Sequence, residues 1–285
     1  MSVAEISSIV VRDIDEVSEL HEVEQLQREV WGLSDLDIVP LSHLIAAKAA
    51  GGVLLGAFDD QTLVGFVYGF VSYEQNQMAH HSHMLAVRPD YRNLNLGHRL
   101  KLEQRERVLA QGITLMSRTF DPLQSLNAYF NFNKLGVLAD QYKINFYGED
   151  AASFLHRNGT DRLWVAWLLK SQHVIERLDK GSSRVDLEHV NPLVQLRPDS
   201  SPRLNDLNEG LSKDRALIEV PIDINALESS SAELAGEWRQ ATRRAFTESL
   251  RAGYLVVDFM RRNRDGQEVG TYLLSRGESL DDFAG

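Results

Sequence analysis

The sequence predicts an α/β protein in which helices flank a mixed, mostly antiparallel central sheet, with a smaller α/β region at the C-terminal end. Three observations carry this. Val17, Leu20, Val23, Leu26 and Val30 recur at helical spacing, which marks a helix with one apolar face. The apolar runs VLLGAFD (53–59) and LVGFVYGFVS (63–72) are joined by Asp59-Asp60-Gln61 and read as an antiparallel hairpin. HHSHMLAV (80–87) is a strand that passes through a turn-rich stretch into a helix from about Leu96 to Gln111, stopped by Gly112.

The remaining elements follow in order. IVVRDI (9–14) is a short strand ahead of the first helix, which Trp31-Gly32 ends. A second helix covers Pro40 to Ala50, opened by proline and closed by Gly51-Gly52. In the 96–111 helix, Leu100, Val108 and Leu109 are expected to face a core, and Arg99, Lys101, Glu103, Arg105 and Glu106 to favour solvent. ITLMSRTF (113–120) is a strand, a helix runs from Ser125 to Leu135, and VLADQYKINFY (137–147) and RLWVAWLL (162–169) follow. Residues 181–215 are polar and contain Pro192, Pro198 and Pro202, the composition of a linker or irregular excursion. ALIEVP (216–221), a long helix near 230–252, YLVVDFMRR (254–262) and GTYLLSR (270–276) then resume the pattern, and the closing GESLDDFAG is expected to fray. Two domains are expected, 1–180 and 181–285, with the 230–252 helix a candidate homodimer face.

Composition narrows the function. Of 285 residues, 43% are hydrophobic and 25% charged, enough for a real core. No stretch approaches the roughly 18 apolar residues that a membrane helix needs. The first twenty residues carry scattered acids and lack a signal peptide's basic start and apolar block, so a cytoplasmic location is expected. The absence of cysteine excludes disulfides, thiolate metal sites and a cysteine nucleophile. A net charge of −11 leaves no basic face to displace phosphate counterions, so neither nucleic acid nor membrane is an expected partner. An acidic protein that binds an anionic cofactor must make the attraction locally, from backbone amides and a few arginines.

The loop 88–97 has those means. A strand entering a tight loop and then a helix N-terminus gathers unpaired N–H groups, and the helix dipole adds partial positive charge. Asn93, Asn95 and Gly97 suit unusual backbone angles and close approach by phosphate, and Arg92 supplies a fixed charge. No G-K-[ST] and no G-x-G-x-x-G accompanies them, so this is neither a P-loop nor a dinucleotide fingerprint.

Leu85-Ala86-Val87-Arg88-Pro89-Asp90-Tyr91-Arg92, followed by Asn93-Leu94-Asn95-Leu96-Gly97, resembles the signature of the GNAT superfamily of acyl-CoA N-acyltransferases. The order of elements and the segment SLNAYFNFNKLGV (125–137) are similar to that family as well, so the likeness covers about residues 8–170. Two positions depart from its pattern. Asn95 stands where the family usually has glycine, and Phe132 where it commonly has a tyrosine acid. The resemblance implies acetyl-CoA or another acyl-CoA as cofactor. Leu85, Ala86 and Val87 would pair with the pantetheine arm, and the amides from Arg92 to His98, with Asn93, Asn95, Leu96 and Gly97, would hold the pyrophosphate. Asn127 would lie beside the thiol end, and a small amine would attack the thioester directly. His83, then His81, is the candidate base, both placed by strand alternation on the face of Leu85 and Val87. Tyr129 is the candidate acid. Trp31 is the candidate wall of the acceptor pocket, and Asp121 the candidate partner of an acceptor ammonium. His80, His81 and His83 could share a metal, although no carboxylate pattern accompanies them. The rival readings are a non-catalytic acyl-CoA-binding or regulatory module and a protein or peptide N-acetyltransferase.

Overall fold

The computed structural model describes residues 9–148, 158–182, 185, 187, 189–264 and 266–284. The chain forms two compact units, one up to Arg118 and one from Thr119 onward. This division lies within the strand Leu115–Phe120, whereas the change of composition in the sequence lies near 181.

In the first unit, β1 (Val10–Asp13), β2 (Val53–Asp59), β3 (Thr62–Glu74) and β4 (Gln77–Val87) form an antiparallel series, and β5 (Leu115–Phe120) joins β4 in parallel. Helices α1 (Val17–Trp31) and α2 (Leu41–Ala49) pack on one face. A capping box between Glu16 and Glu19 starts α1, and Gly32 ends it at φ 61°, in the left-handed region. The helical stripe meets the sheet as the spacing requires: Leu20, Val23 and Leu26 are buried with Leu54, Phe58, Phe66 and Tyr68. Burying each such leucine or valine contributes about 1.5–3 kcal/mol. Helix α3 (Leu96–Ala110) covers the opposite face through Leu96, Leu100, Gln104 and Val108.

Lys101, expected at the surface, is fully buried on α3. It shares the inward face with Gln104 and Val108, three and seven residues on. Its ammonium position lies 2.5 Å from Ser82 Oγ and 2.9 Å from Gln104 Oε1, with no carboxylate in that polar cluster. Burial, then the charge of Arg118, holds its pKa well below the ordinary lysine value.

The second unit carries a sheet in the order β7 (Arg162–Leu168), β6 (Leu138–Lys143), β11 (Tyr254–Arg264), β12 (Gln267–Arg276), β10 (Arg215–Val220), β8 (Pro192–Leu196), β9 (Pro202–Leu204). The expected linker is therefore ordered structure: β8 runs parallel to β10, β9 is its antiparallel neighbour, and the short helix α6 (Leu207–Gly210) follows. Pro192 and Pro202 sit at strand starts, where a missing N–H costs least, and Pro198 lies in the turn between β8 and β9. Helix α4 (Ser125–Ala128) continues as a π-helical turn (Tyr129–Leu135), and α5 (Gln172–Lys180) follows β7. The long helix expected near 230–252 is α8 (Ala232–Arg251), and its N-cap Ser231 separates it from the short α7 (Ile224–Ser230). The apolar face of α8 buries Trp238 and Phe246 within its own unit. The C-terminal residues expected to fray instead form a short 3-10 helix (Leu280–Phe283), closed by a Ser279–Asp282 capping box and by the buried Leu280.

Candidate active site

Strand β4 is the axis of the site. It pairs with β3 from Gln77 to Val87, but with β5 at His80 and His81. The β3–β4 register shifts between Tyr68, opposite Met84, and Gly69, opposite Ser82, so His83 is the extra residue of a β-bulge. Strict alternation does not survive this insertion. His81 and His83 lie against Phe70, at 5.4 and 5.8 Å between ring centroids, and Met84 packs on the α1–α2 core. Leu85 and Val87 turn the other way, toward Gly97 and Leu100 of α3. The expectation that both histidines share a face with Leu85 and Val87 is thus overturned, because a one-residue insertion exchanges faces for everything beyond it.

The bulge collects an aromatic and imidazole surface. Tyr68 sits edge-on to His43 and His83, both at 6.2 Å, and shares a 3.0 Å hydrogen bond with His43 Nε2. Burial pushes the Tyr68 phenol up to about 12, so it remains protonated at neutral pH. His83 reaches solvent at this surface, yet burial by the surrounding rings and then the charge of His43 push its pKa down. His81 is 9% exposed, and burial, with His83 next, brings its pKa to about 4. His81 Nδ1 lies 2.8 Å from Ser117 Oγ, which donates to Glu74 Oε1 at 2.5 Å; Ser72 Oγ donates to the same oxygen at 2.9 Å. His80 faces α3, with its Nε2 at 3.3 Å from Gln104 Nε2. The three histidines therefore do not converge, and among the described residues no group of three His, Asp or Glu could hold a metal.

Beyond β4, Pro89–Leu94 forms a 3-10 turn and Asn95 enters α3 at φ 57°, ψ 20°. Asparagine tolerates this left-handed conformation better than other side-chain-bearing residues, which is how the loop keeps its turn without glycine. The Asn95 side chain does not cap the helix, so the first-turn N–H groups lack both an intrahelical acceptor and that cap. A Cβ on Gly97 would meet only Leu85 Cδ2, at 3.7 Å, so packing within the protein does not demand glycine there. Arg92 is exposed, and its Nε donates to Val87 O at 3.3 Å. Tyr91 donates to Asp59 at 2.9 Å and pins the loop to the end of β2. A helix N-terminus without a side-chain cap, beside an exposed arginine, has the chemistry to attract an anion.

Residues 16–132 match the acetyltransferase (GNAT) family. The likeness to that family lies in residues 16–132. Solved structures similar to it include an aminoglycoside 6'-acetyltransferase type Ii, at 19% identity over 56% of this chain and 97% of that chain, TM-score 0.45. The ribosomal-protein-S18-alanine N-acetyltransferase from Escherichia coli is 12% identical over 56% of this chain and 94% of that chain, TM-score 0.44. A GNAT family acetyltransferase from Elizabethkingia anophelis with acetyl-CoA bound gives 12%, 56%, 98% and 0.44 by the same measures. No curated protein matches the sequence. No described helix is long and apolar enough to cross a membrane.

In the first unit, His83, Leu85, Ala86, Val87 and the Arg92–His98 loop all lie on β4 and its continuation. Trp31 is partly buried, edge-on to Phe66 at 6.0 Å, on the same core as Tyr68. In the second unit, Asn127 is exposed and its carbonyl accepts from Asn131 at 2.8 Å. Tyr129 has Lys134 and Arg261 each 5.7 Å from its ring. Phe132 is fully buried, edge-on to Phe120 and Tyr272, so the aromatic at that position is a packing residue. Asp121, expected to hold an acceptor ammonium, instead holds Arg239 through two bonds of 2.8 and 2.7 Å and accepts the Leu123 N–H. Sequence reasoning missed Ser117 and Glu74, which belong to no motif and meet His81 only through strand pairing.

Proposed function

We propose that this protein is an acyl-CoA-dependent N-acyltransferase that acts on a small amine. The observation that carries the reading is the Asn95–Gly97 entry to α3, a left-handed turn and an unfilled glycine at a helix N-terminus beside Arg92. Acyl-CoA, with acetyl or a larger group such as succinyl, is the cofactor, its pyrophosphate held by the amides from Arg92 to His98. The Leu85–Val87 backbone suits an extended arm laid along it like an added strand. His83, open to solvent among aromatic rings, receives the amine and takes its proton. Holding amine and thioester together supplies much of the acceleration. We assign acyl-CoA binding to residues 1–180 and treat 181–285 as an α+β extension, in origin a degenerate half-GNAT unit.

Calorimetric titration with acetyl-CoA, succinyl-CoA and free CoA tests this first, and an amine panel read by release of CoA thiol tests it second. Micromolar binding with amine-dependent release is expected. Binding without release for any amine would favour the non-catalytic acyl-CoA-binding module, which the packed Phe132 in place of a phenol supports. No binding of any of the three would remove the proposal.

A further inference from the structure

Ser117 has one hydroxyl proton and two close partners. A carboxylate offers only acceptors, so that proton points to Glu74, and Ser117 Oγ must accept from His81 Nδ1–H. The neutral His81 ring then carries its lone pair on Nε2. Ser117 is 1% exposed and His81 9%, so the arrangement is built into the β4–β5 pairing rather than left at a surface. His81 is the last β4 residue paired to β5 before the bulge, and its ring lies against Phe70 and 6.2 Å from His83.

Resting on the acyltransferase reading, we propose that His81 is a second proton acceptor of the site, and that Ser117 and Glu74 are positioning residues that fix it as the Nδ1–H tautomer. As the amine nitrogen bonds to the acyl carbon and the carbon–sulfur bond breaks, the nitrogen's proton moves to His81 Nε2. His81 then returns it to solvent, the thiolate gaining a proton in turn, so that amide and free thiol are the products. The imidazolium formed is stabilised through Ser117 by the Glu74 carboxylate. The charged groups acting against it are Lys101, Arg118 and a protonated His83.

Long-range proton–nitrogen spectra of the imidazoles in the ¹⁵N-histidine-labelled protein, with His81→Gln for assignment, test the tautomer without substrate. The expected result is Nδ1–H in the wild type and a shift toward Nε2–H in Ser117→Ala. In thiol release from acetyl-CoA with the best amine of the panel, Ser117→Ala should lower kcat about tenfold with KM for acetyl-CoA within twofold. Ser117→Thr should restore it. Glu74→Gln keeps the hydrogen-bond geometry, provides the variant of choice should Ser117→Ala misfold, and should move the His81 titration to lower pH. An Nε2–H tautomer in the wild type overturns the proposal. So does a folded Ser117→Ala protein with wild-type kcat, or an unmoved His81 titration in Glu74→Gln. A wild type without amine-dependent release would refute acyl transfer, and the acceptor role with it, while the tautomer would still decide the Glu74–Ser117–His81 chain.

Discussion

Asn95 and Arg92 divide the work of the loop between shape and charge. Asn95 supplies the left-handed turn that aims the first-turn amides outward; Arg92 supplies a cation that a protein of net charge −11 must place locally. Arg92→Glu exchanges an attraction for a repulsion. With a charge-assisted hydrogen bond contributing about 1.5–3 kcal/mol, the acetyl-CoA Kd should rise at least about tenfold by calorimetry. The circular dichroism spectrum should stay unchanged, because Arg92 is exposed and its one hydrogen bond among the described residues is to the Val87 carbonyl. Equal affinity in the folded variant would rule out the proposed pyrophosphate site. His83 belongs to the same scale. Its pKa is pushed down from 6.5, so the imidazole is neutral at pH 7, the form that the proposed base needs, and that form is lost only as pH falls through the lowered value. His83→Gln should reduce kcat about 10²-fold, and the acid limb of the wild-type profile should fall below pH 6.5. A limb above that pH would assign the base elsewhere.

At the level of elements, the bulge in β4 determines which side chains meet. Gly69 makes it possible: a Cβ there would lie 2.3 Å from His80 Nε2 and 2.7 Å from His81 O. Gly69→Ala should therefore cost about 1–3 kcal/mol, read as a lower denaturant midpoint. A neutral Gly69→Ala would mean that β4 has slack at the bulge. Periodicity in the sequence recovers α1, α2, the β2–β3 hairpin, α3 and the L-A-V-x-P-x-Y-R loop, since each follows from local spacing. What it does not recover depends on pairing across distance. The bulge at His83 arises from register with β3, and Ser117 meets His81 only because β4 and β5 run parallel. Lys101 looks solvent-facing by residue type, yet the helix face it shares with Gln104 and Val108 is buried. The 181–215 stretch hides β8 and β9 because its prolines mark strand starts as readily as loops. The turn geometry of the loop was thus legible, while the side chains that meet His81 were not.

Across the molecule, the two units store ionisable groups in opposite ways, and acid should separate them. The first unit buries basic groups whose protonation burial disfavours. Burial brings His80 to about 3 and His81 to about 4, from 6.5 when unfolded, and it holds Lys101 well below 10.5. A folded state that refuses protons which the unfolded chain accepts loses stability as pH falls. For the histidines the loss starts near pH 6.5 and continues toward 4 and 3, each unit of depression weighing about 1.4 kcal/mol. The second unit instead buries charges in pairs: Arg177 with Asp258, Arg239 with Asp121, and Arg264 with Glu219. Its Asp161 is opposed by burial but carried below 3.8 by bonds from Arg243, Asn145 and Tyr142, so that contribution is lost only below about pH 4. Its His173 is pushed down, by burial and then by Arg177. Hydrogen exchange followed by mass spectrometry, corrected for intrinsic rates, should show β3, β4 and α3 losing protection between pH 6.5 and 4. Over the same range α8 and β10 to β12 should keep theirs. Lys101→Met removes one proton-refusing group and should raise the protection of α3 at neutral pH. Simultaneous loss in both units, or earlier loss in the second, would show that the buried pairs and not the neutral cluster govern acid stability.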